Sequence, residues 1–234
     1  MAGNVAPKIV IDSSLLFYLD AVNNKSYISG STTWNDISRG RNNGTLVNGS
    51  AYSSDTGGSI IFDGTDDYCN IPISAVPTGS QITVSFWTKF NVTQASSIFS
   101  AYNSAGQRQV NIHLTWSDSV AYWDCGASGG TYDRINSSTL TTAQKTGWHN
   151  WVFTKDATAG TMVIYLDGIS LASGTGKTYT IGTISTASKR CAIASFDDTM
   201  YYSGNISSML LYNRILSTTE ITQNYNATRA RFGV

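Results

Sequence analysis

An all-β fold, a two-sheet antiparallel sandwich of jelly-roll type, is predicted by three observations. Apolar or alternating runs of strand length recur from one end of the 234 residues to the other. They are rich in Val, Ile, Tyr, Phe and Trp, and clusters of Gly, Asn, Asp, Ser and Thr, the turn formers, separate them. No segment before residue 215 carries a helical period, which argues against alternating strand and helix units on a parallel sheet. A chain of this length fits one such domain with a substantial core.

In chain order, residues 1–12 read as an irregular arm, apolar enough to pack but too short to fold alone, ahead of a single domain over residues 13–234. The strand runs follow: LLFYLDA, GGSIIF, DYCNIPI, QITVSFWTKF, SSIFSAY, QVNIHLTW, VAYWDC, WHNWVFTK, TMVIYLDG, RCAIASF and ISSMLLYNR. Side chains alternate across a strand, so in QITVSFWTKF the residues Ile82, Val84, Phe86 and Thr88 share one face and Thr83, Ser85, Trp87 and Lys89 the other. One face is core, and Trp87 is then either a second-layer contact or a surface aromatic. In VIYLDGISL, Asp167 and Gly168 lie between two apolar strands and supply the two positive-φ positions of a type I′ hairpin turn.

After the last strand, Ser217 is followed three residues later by Glu220, a capping box in which serine and glutamate each satisfy the other's free backbone amide. Leu216 before the cap and Ile221 after it form a hydrophobic staple, and Ile221 and Tyr225 share one helical face. Arg229 and Arg231 sit at the negative end of the helix dipole. Glu220, the single glutamate of the chain, therefore reads as a helix cap.

Hydrophobic residues make up 41% of the chain and charged residues 13%, with 15 basic and 15 acidic side chains. A net charge of zero provides no global field to attract nucleic acid or an anionic membrane. The N-terminus has no apolar core of signal-peptide length, and no run is long enough to span a bilayer, so a soluble cytosolic product, without membrane insertion, is expected. Cys69, Cys125 and Cys191 have neither zinc nor disulfide spacing and read as free, partly buried thiols.

Several segments, LLFYLDAVNNKSYISGSTTWNDISRGRNNGTLVNG, GGSIIFDGTDDY, ITVSFWTKF, WHNWVFTKD, VIYLDGISL and YSGNISSMLLYNRILSTTEITQNYNATRARFG, resemble the concanavalin A-like lectin/glucanase superfamily. The similarity is nearest to its laminin-G-like and pentraxin-like branch, in the version found in structural proteins of tailed bacteriophages, including cyanophages. The resemblance spans about residues 13 to 232 and implies two stacked sheets, one concave, with the terminal strands adjacent. It also implies, as an expectation, a virion decoration protein on capsid or tail, packed against other virion proteins, homo-oligomeric and exposed on the particle surface. The sequence departs from the phage pattern at Arg39 and Arg41, where small residues are usual; these arginines either meet an acidic partner surface or are solvated.

Three kinds of site are open to such a chain. A glycan platform stacks sugars on exposed aromatics, and Tyr102, Trp116, Tyr122, Trp123 and Tyr132 are the candidates, in a carbohydrate-binding adhesin recognising host glycans. Adjacent Tyr122 and Trp123 point to opposite faces, so at most one is core. A structural calcium ion, which members of the superfamily often bind, would draw on Asp36, Asn42 and Asp63 or Asp66, although such aspartates also serve as ordinary turn formers. Glycoside hydrolysis, the third, usually needs two carboxylates across a cleft, and the glutamate pair of the hydrolytic relatives is absent. Asp118 and Asp124 flank one strand and read as strand-end turn residues, while His113 shares a polar face with Asn111 and Thr115. A non-enzymatic protein is the expectation.

Overall fold

The computed structural model describes residues 7–234. Along the described chain run β1 (Leu15–Asp20), β2 (Thr33–Trp34), β3 (Gly44–Val47), β4 (Ala51–Ser53), β5 (Ser59–Asp63), β6 (Tyr68–Asn70), β7 (Gln81–Phe90) and β8 (Phe99–Tyr102). There follow β9 (Arg108–His113), β10 (Tyr122–Ser128), β11 (Thr131–Asn136), β12 (His149–Asp156), β13 (Thr161–Leu166), β14 (Ile169–Gly174), β15 (Ala192–Ile193) and β16 (Ser203–Tyr212). Two α-helices accompany them among the described residues, α1 (Thr142–Lys145) and α2 (Thr218–Thr228). None of the described helices is long and apolar enough to cross a membrane.

The strands form two antiparallel sheets. The first has the order β14-β13-β12-β7-β16-β5-β4, with β5 pairing the N-terminal half of β16 and β1 its C-terminal half. The second has the order β11-β10-β9-β8-β15-β6-β3-β2. The first strand β1 thus lies beside the last strand β16, as the resemblance implies. The core fills the space between the sheets: Phe17, Ile82, Val84, Phe86, Trp151 and Phe153 from the first meet Phe99, Val110, Ile112, Trp123 and Ile193 from the second. Each is fully buried, worth on the order of 2 to 3 kcal/mol per large side chain. At one edge Lys155 of β12, itself buried, is clasped by Asp133 of β11, so an ion pair as well as apolar packing ties the sheets together.

The face of the first sheet that points away from the core carries α2. Trp87 turns outward as its parity requires and is nonetheless buried, stacked on Phe232 at 4.1 Å and donating from Nε1 to Thr228 Oγ1 at 2.7 Å. It is a second-layer contact. The capping box of Ser217 and Glu220 is formed, and Leu216 and Ile221 lie in one buried cluster. Glu220 also takes a paired donation from Arg214, at 2.7 and 2.8 Å. Of the arm expected over residues 1–12, residues 1–6 lie outside the described residues. Residues 7–12 run along α2, where the Val10 amide donates to Asn224 and Gln223 donates to the Lys8 carbonyl. Asp167 and Gly168 both have positive φ, 52° and 80°, at the tight β13–β14 turn. All three cysteines are free and buried.

Candidate functional site

On β8, β9, β10 and β11 the residues facing away from the core are polar, charged or aromatic. The alternation that sends Val110, Ile112, Trp123 and Cys125 inward sends Asn111, His113, Tyr122 and Asp124 outward. Two bulges reset this parity at the strand ends. One, between Ala101 and Tyr102, lets Arg108 face outward; the other inserts Gly126 into β10 opposite β11, on which Tyr132 and Arg134 share the outer face by ordinary alternation. Gly126 has φ of 75°, and a Cβ there would lie 2.0 Å from the Tyr179 carbonyl oxygen, so glycine is required to build this edge.

Asp124 is the hub of the face. Its carboxylate is fully buried and accepts from Arg108 Nη1 at 2.6 Å and from Arg134 Nε and Nη2 at 2.6 and 2.8 Å. Two guanidinium groups on one carboxylate leave an excess positive charge, and both are held flat for stacking. Arg108 lies 4.5 Å from the Tyr132 ring and 5.0 Å from Phe196; Arg134 lies 4.9 Å from Tyr122 and 5.2 Å from Tyr132. Beside them, Trp116 meets His113 edge-on at 4.6 Å and Tyr122 at 6.3 Å. Below is a buried polar layer: His113 Nδ1 donates to the Ser96 carbonyl at 2.9 Å, and Asn111 Nδ2 donates to His113 Nε2 at 2.6 Å. Burial lowers the His113 pKa to about 4, so its ring is neutral near pH 7.

Of the five aromatics expected to form a platform, Trp116, Tyr122 and Tyr132 come together, half-exposed, around the two arginines. Trp123 does not: it is the core member of the Tyr122–Trp123 pair, with no exposed surface, its indole donating to the Thr154 carbonyl. Tyr102 faces outward but is 1% exposed and covered by Phe196. Arg108, Arg134 and Phe196 were not among the sequence candidates. Asp124 corrects the reading as a strand-end turn residue, since it lies inside β10 and pairs across the sheet with Arg134. Asp118 is a turn residue, accepting from the Val120 amide and the Tyr122 hydroxyl.

The metal candidates fall into two separate groups. Because β3 runs antiparallel to β6, Asn42 before β3 and Asp66 before β6 lie at opposite ends of that strand pair. Asp36 cannot serve a cation as well as its loop, since its two oxygens already accept from the Tyr18, Ser38 and Asn42 amides and the Ser38 hydroxyl. Asp63 and Asp66 do converge, joined by Asp67, with carboxylate oxygens within 4.8 Å of one another. Hydrogen bonds from the Thr65 and Asp66 amides hold Asp63 below the usual carboxylate range, whereas burial pushes Asp67 up. Oxygen donors of this kind suit a hard cation.

A sequence model described as the concanavalin A-like lectin/glucanases superfamily matches residues 63–222. No curated protein matches the chain in sequence. Among solved structures, domain 4 of AbnA, an extracellular arabinanase of Geobacillus stearothermophilus in complex with arabinotriose, superposes with a TM-score of 0.68 at 16% identity, over 94% of this chain and 100% of that one. The binding domain of botulinum neurotoxin DC in complex with SialylT gives 0.70 at 13% identity, over 92% of this chain and 52% of that one. The sialidase of Trypanosoma rangeli in complex with the inhibitor DANA gives 0.65 at 15%, over 95% of this chain and 35% of that one. Identities this low convey the fold alone.

Proposed function

Since the chain belongs to the concanavalin A-like lectin/glucanases superfamily, we propose that it is a non-enzymatic carbohydrate-binding module whose ligand face is built on β9, β10 and β11. The observation that carries this reading is the convergence of Trp116, Tyr122 and Tyr132 on Arg108 and Arg134, both anchored by Asp124. Aromatic faces give a sugar ring its apolar contact, and fixed guanidinium donors give its hydroxyls or carboxylates their orientation. Two solved structures of this fold, one in complex with arabinotriose and one with SialylT, support it.

The carboxylates favour binding over hydrolysis. Asp124 is engaged by two arginines and Glu220 by Arg214 and a helix cap, so neither is placed to give or take a substrate proton. A glycan array read by fluorescence tests the proposal. Trp116→Ala or Tyr122→Ala is expected to weaken binding about tenfold each without altering the fold. Absence of any bound glycan, binding indifferent to both changes, or turnover of a polysaccharide by purified protein would overturn it.

The wider setting we propose is a bacteriophage particle, with the module displayed on capsid or tail as a homo-oligomer after synthesis in the host cytoplasm. The resemblance of its first and last segments to phage structural proteins favours this. Stoichiometric attachment to particles purified without the protein is the expected result. We further place the structural calcium ion at Asp63, Asp66 and Asp67. Added calcium then raises the Tm of the wild type and leaves that of Asp66→Ala unchanged; a Tm indifferent to calcium removes the ion from this account.

A further inference from the structure

We propose that a groove on the α2 side of the sandwich, away from the glycan face, is a second binding site that takes an acidic, partly apolar peptide segment of a partner protein. It is a cavity of about 600 Å³, walled by residues 7–12 of the arm, the loop that carries Arg39 and Arg41, and the end of α2. That volume is in the range of ligand-binding clefts. Its floor is apolar, with Ile9, Leu15 and Ile37, and Ile11 at the rim is 70% exposed.

Charge selects the occupant. Seven of the fifteen Lys and Arg residues meet a carboxylate within ion-pair distance. Of the eight without such a partner among the described residues, four line this groove: Lys8, Lys25, Arg39 and Arg41. The acid of the lining, Asp12, is already held by Arg214 at 2.8 Å, and the charge of Arg231 in the wall is met by Asp20 at 2.9 Å. In a chain of zero net charge this leaves one concentrated positive field over an apolar floor.

The cations come from three separate chain segments and are spread round the rim, which suits several carboxylates in succession better than a single small anion. A concave apolar floor suits aliphatic side chains, and neither a flat bilayer nor a polynucleotide backbone supplies them. The loop is prepared in advance. The buried Asp36 carboxylate accepts four hydrogen bonds from its surroundings, and Asn43 closes the loop by accepting from the Asp36 amide at 3.0 Å. Arg39 and Arg41 are therefore presented on a fixed frame, which lowers the ordering cost of binding. The role of Asp36 is to hold this loop.

Fluorescence anisotropy with a labelled peptide of alternating Glu and Leu tests the site, using the full chain. The peptide is expected to bind, about tenfold or more weakly to the Arg39→Glu, Arg41→Glu double variant, and more weakly as salt rises from about 50 to 500 mM. Both changes are at exposed positions, and glycan binding by the variant is expected to match wild type, so failure here is separable from failure of the glycan reading. Four results would overturn the proposal: no binding of the peptide, indifference to charge reversal, equal binding when Ser replaces Leu in the peptide, or association with phosphatidylserine vesicles in preference to it.

Discussion

Burial of His113 as a neutral ring is expected to make the fold lose stability on acidification between pH 7 and 4. Its ring is 2% exposed and locked as the neutral Nδ1–H tautomer: Nδ1 donates to the Ser96 carbonyl, and Nε2 accepts from the Asn111 amide group. A proton on Nε2 would set donor against donor and add a cation beside Arg108 and Arg134, while burial already opposes charge. The folded pKa is about 4 against an ordinary 6.5, so between those values the unfolded chain binds more protons than the native one and stability rises with pH. From that difference, stability falls by about 2 kcal/mol on going from pH 7 to 5 and by about 3 kcal/mol at pH 4. Urea denaturation at closely spaced pH values measures this, with His113→Gln expected to flatten the window. Nuclear magnetic resonance of the imidazole supplies the direct check. A native His113 that titrates near 6.5 would refute the reasoning.

Two further substitutions probe what holds the sheets and the helix. Asp133→Ala strands the fully buried Lys155 ammonium and is expected to cost about 3 to 5 kcal/mol in urea denaturation, more than Lys155→Met, which leaves the Asp133 carboxylate partly exposed and still accepting from the Tyr179 amide. Glu220→Ala loses the cap on α2 and the paired Arg214 contact and is expected to cost about 1 to 2 kcal/mol, read as a lower Tm. Arg214 holds the Glu220 carboxyl down to about 2, so this contribution is present above the ordinary carboxylate range and fades as pH falls toward 2. A Tm for Glu220→Ala equal to wild type would show that the cap is dispensable.

Much of the fold is legible in the residues because its signals are local. The period of two in QITVSFWTKF places Val84 and Phe86 inside, Asp167-Gly168 fits a turn needing two positive φ values, and Ser217 and Glu220 meet within one helical turn. Thr141 and Gln144 form the same capping box on α1, a local signal equally present in TTAQ. The strands that escaped notice, β2, β3, β4 and β11, are short or polar, and their pairing is supplied by neighbours far away in sequence.

The site was legible in residue type and illegible in arrangement. Sequence alone determined that the chain is a β-sandwich with a capped C-terminal helix, that its cysteines are free thiols, and that aromatics between residues 102 and 132 are candidates for a ligand face. Which member of Tyr122–Trp123 turns inward, that Asp124 gathers Arg108 and Arg134 from the strands on either side, and that unpaired cations from residues 8, 25, 39 and 41 share one groove were decided by tertiary structure. The physical reason is that helix caps and hairpin turns are satisfied by atoms within a few residues. A buried charge or a ligand face, by contrast, is defined by partners that strand order and bulges bring together across the sheet.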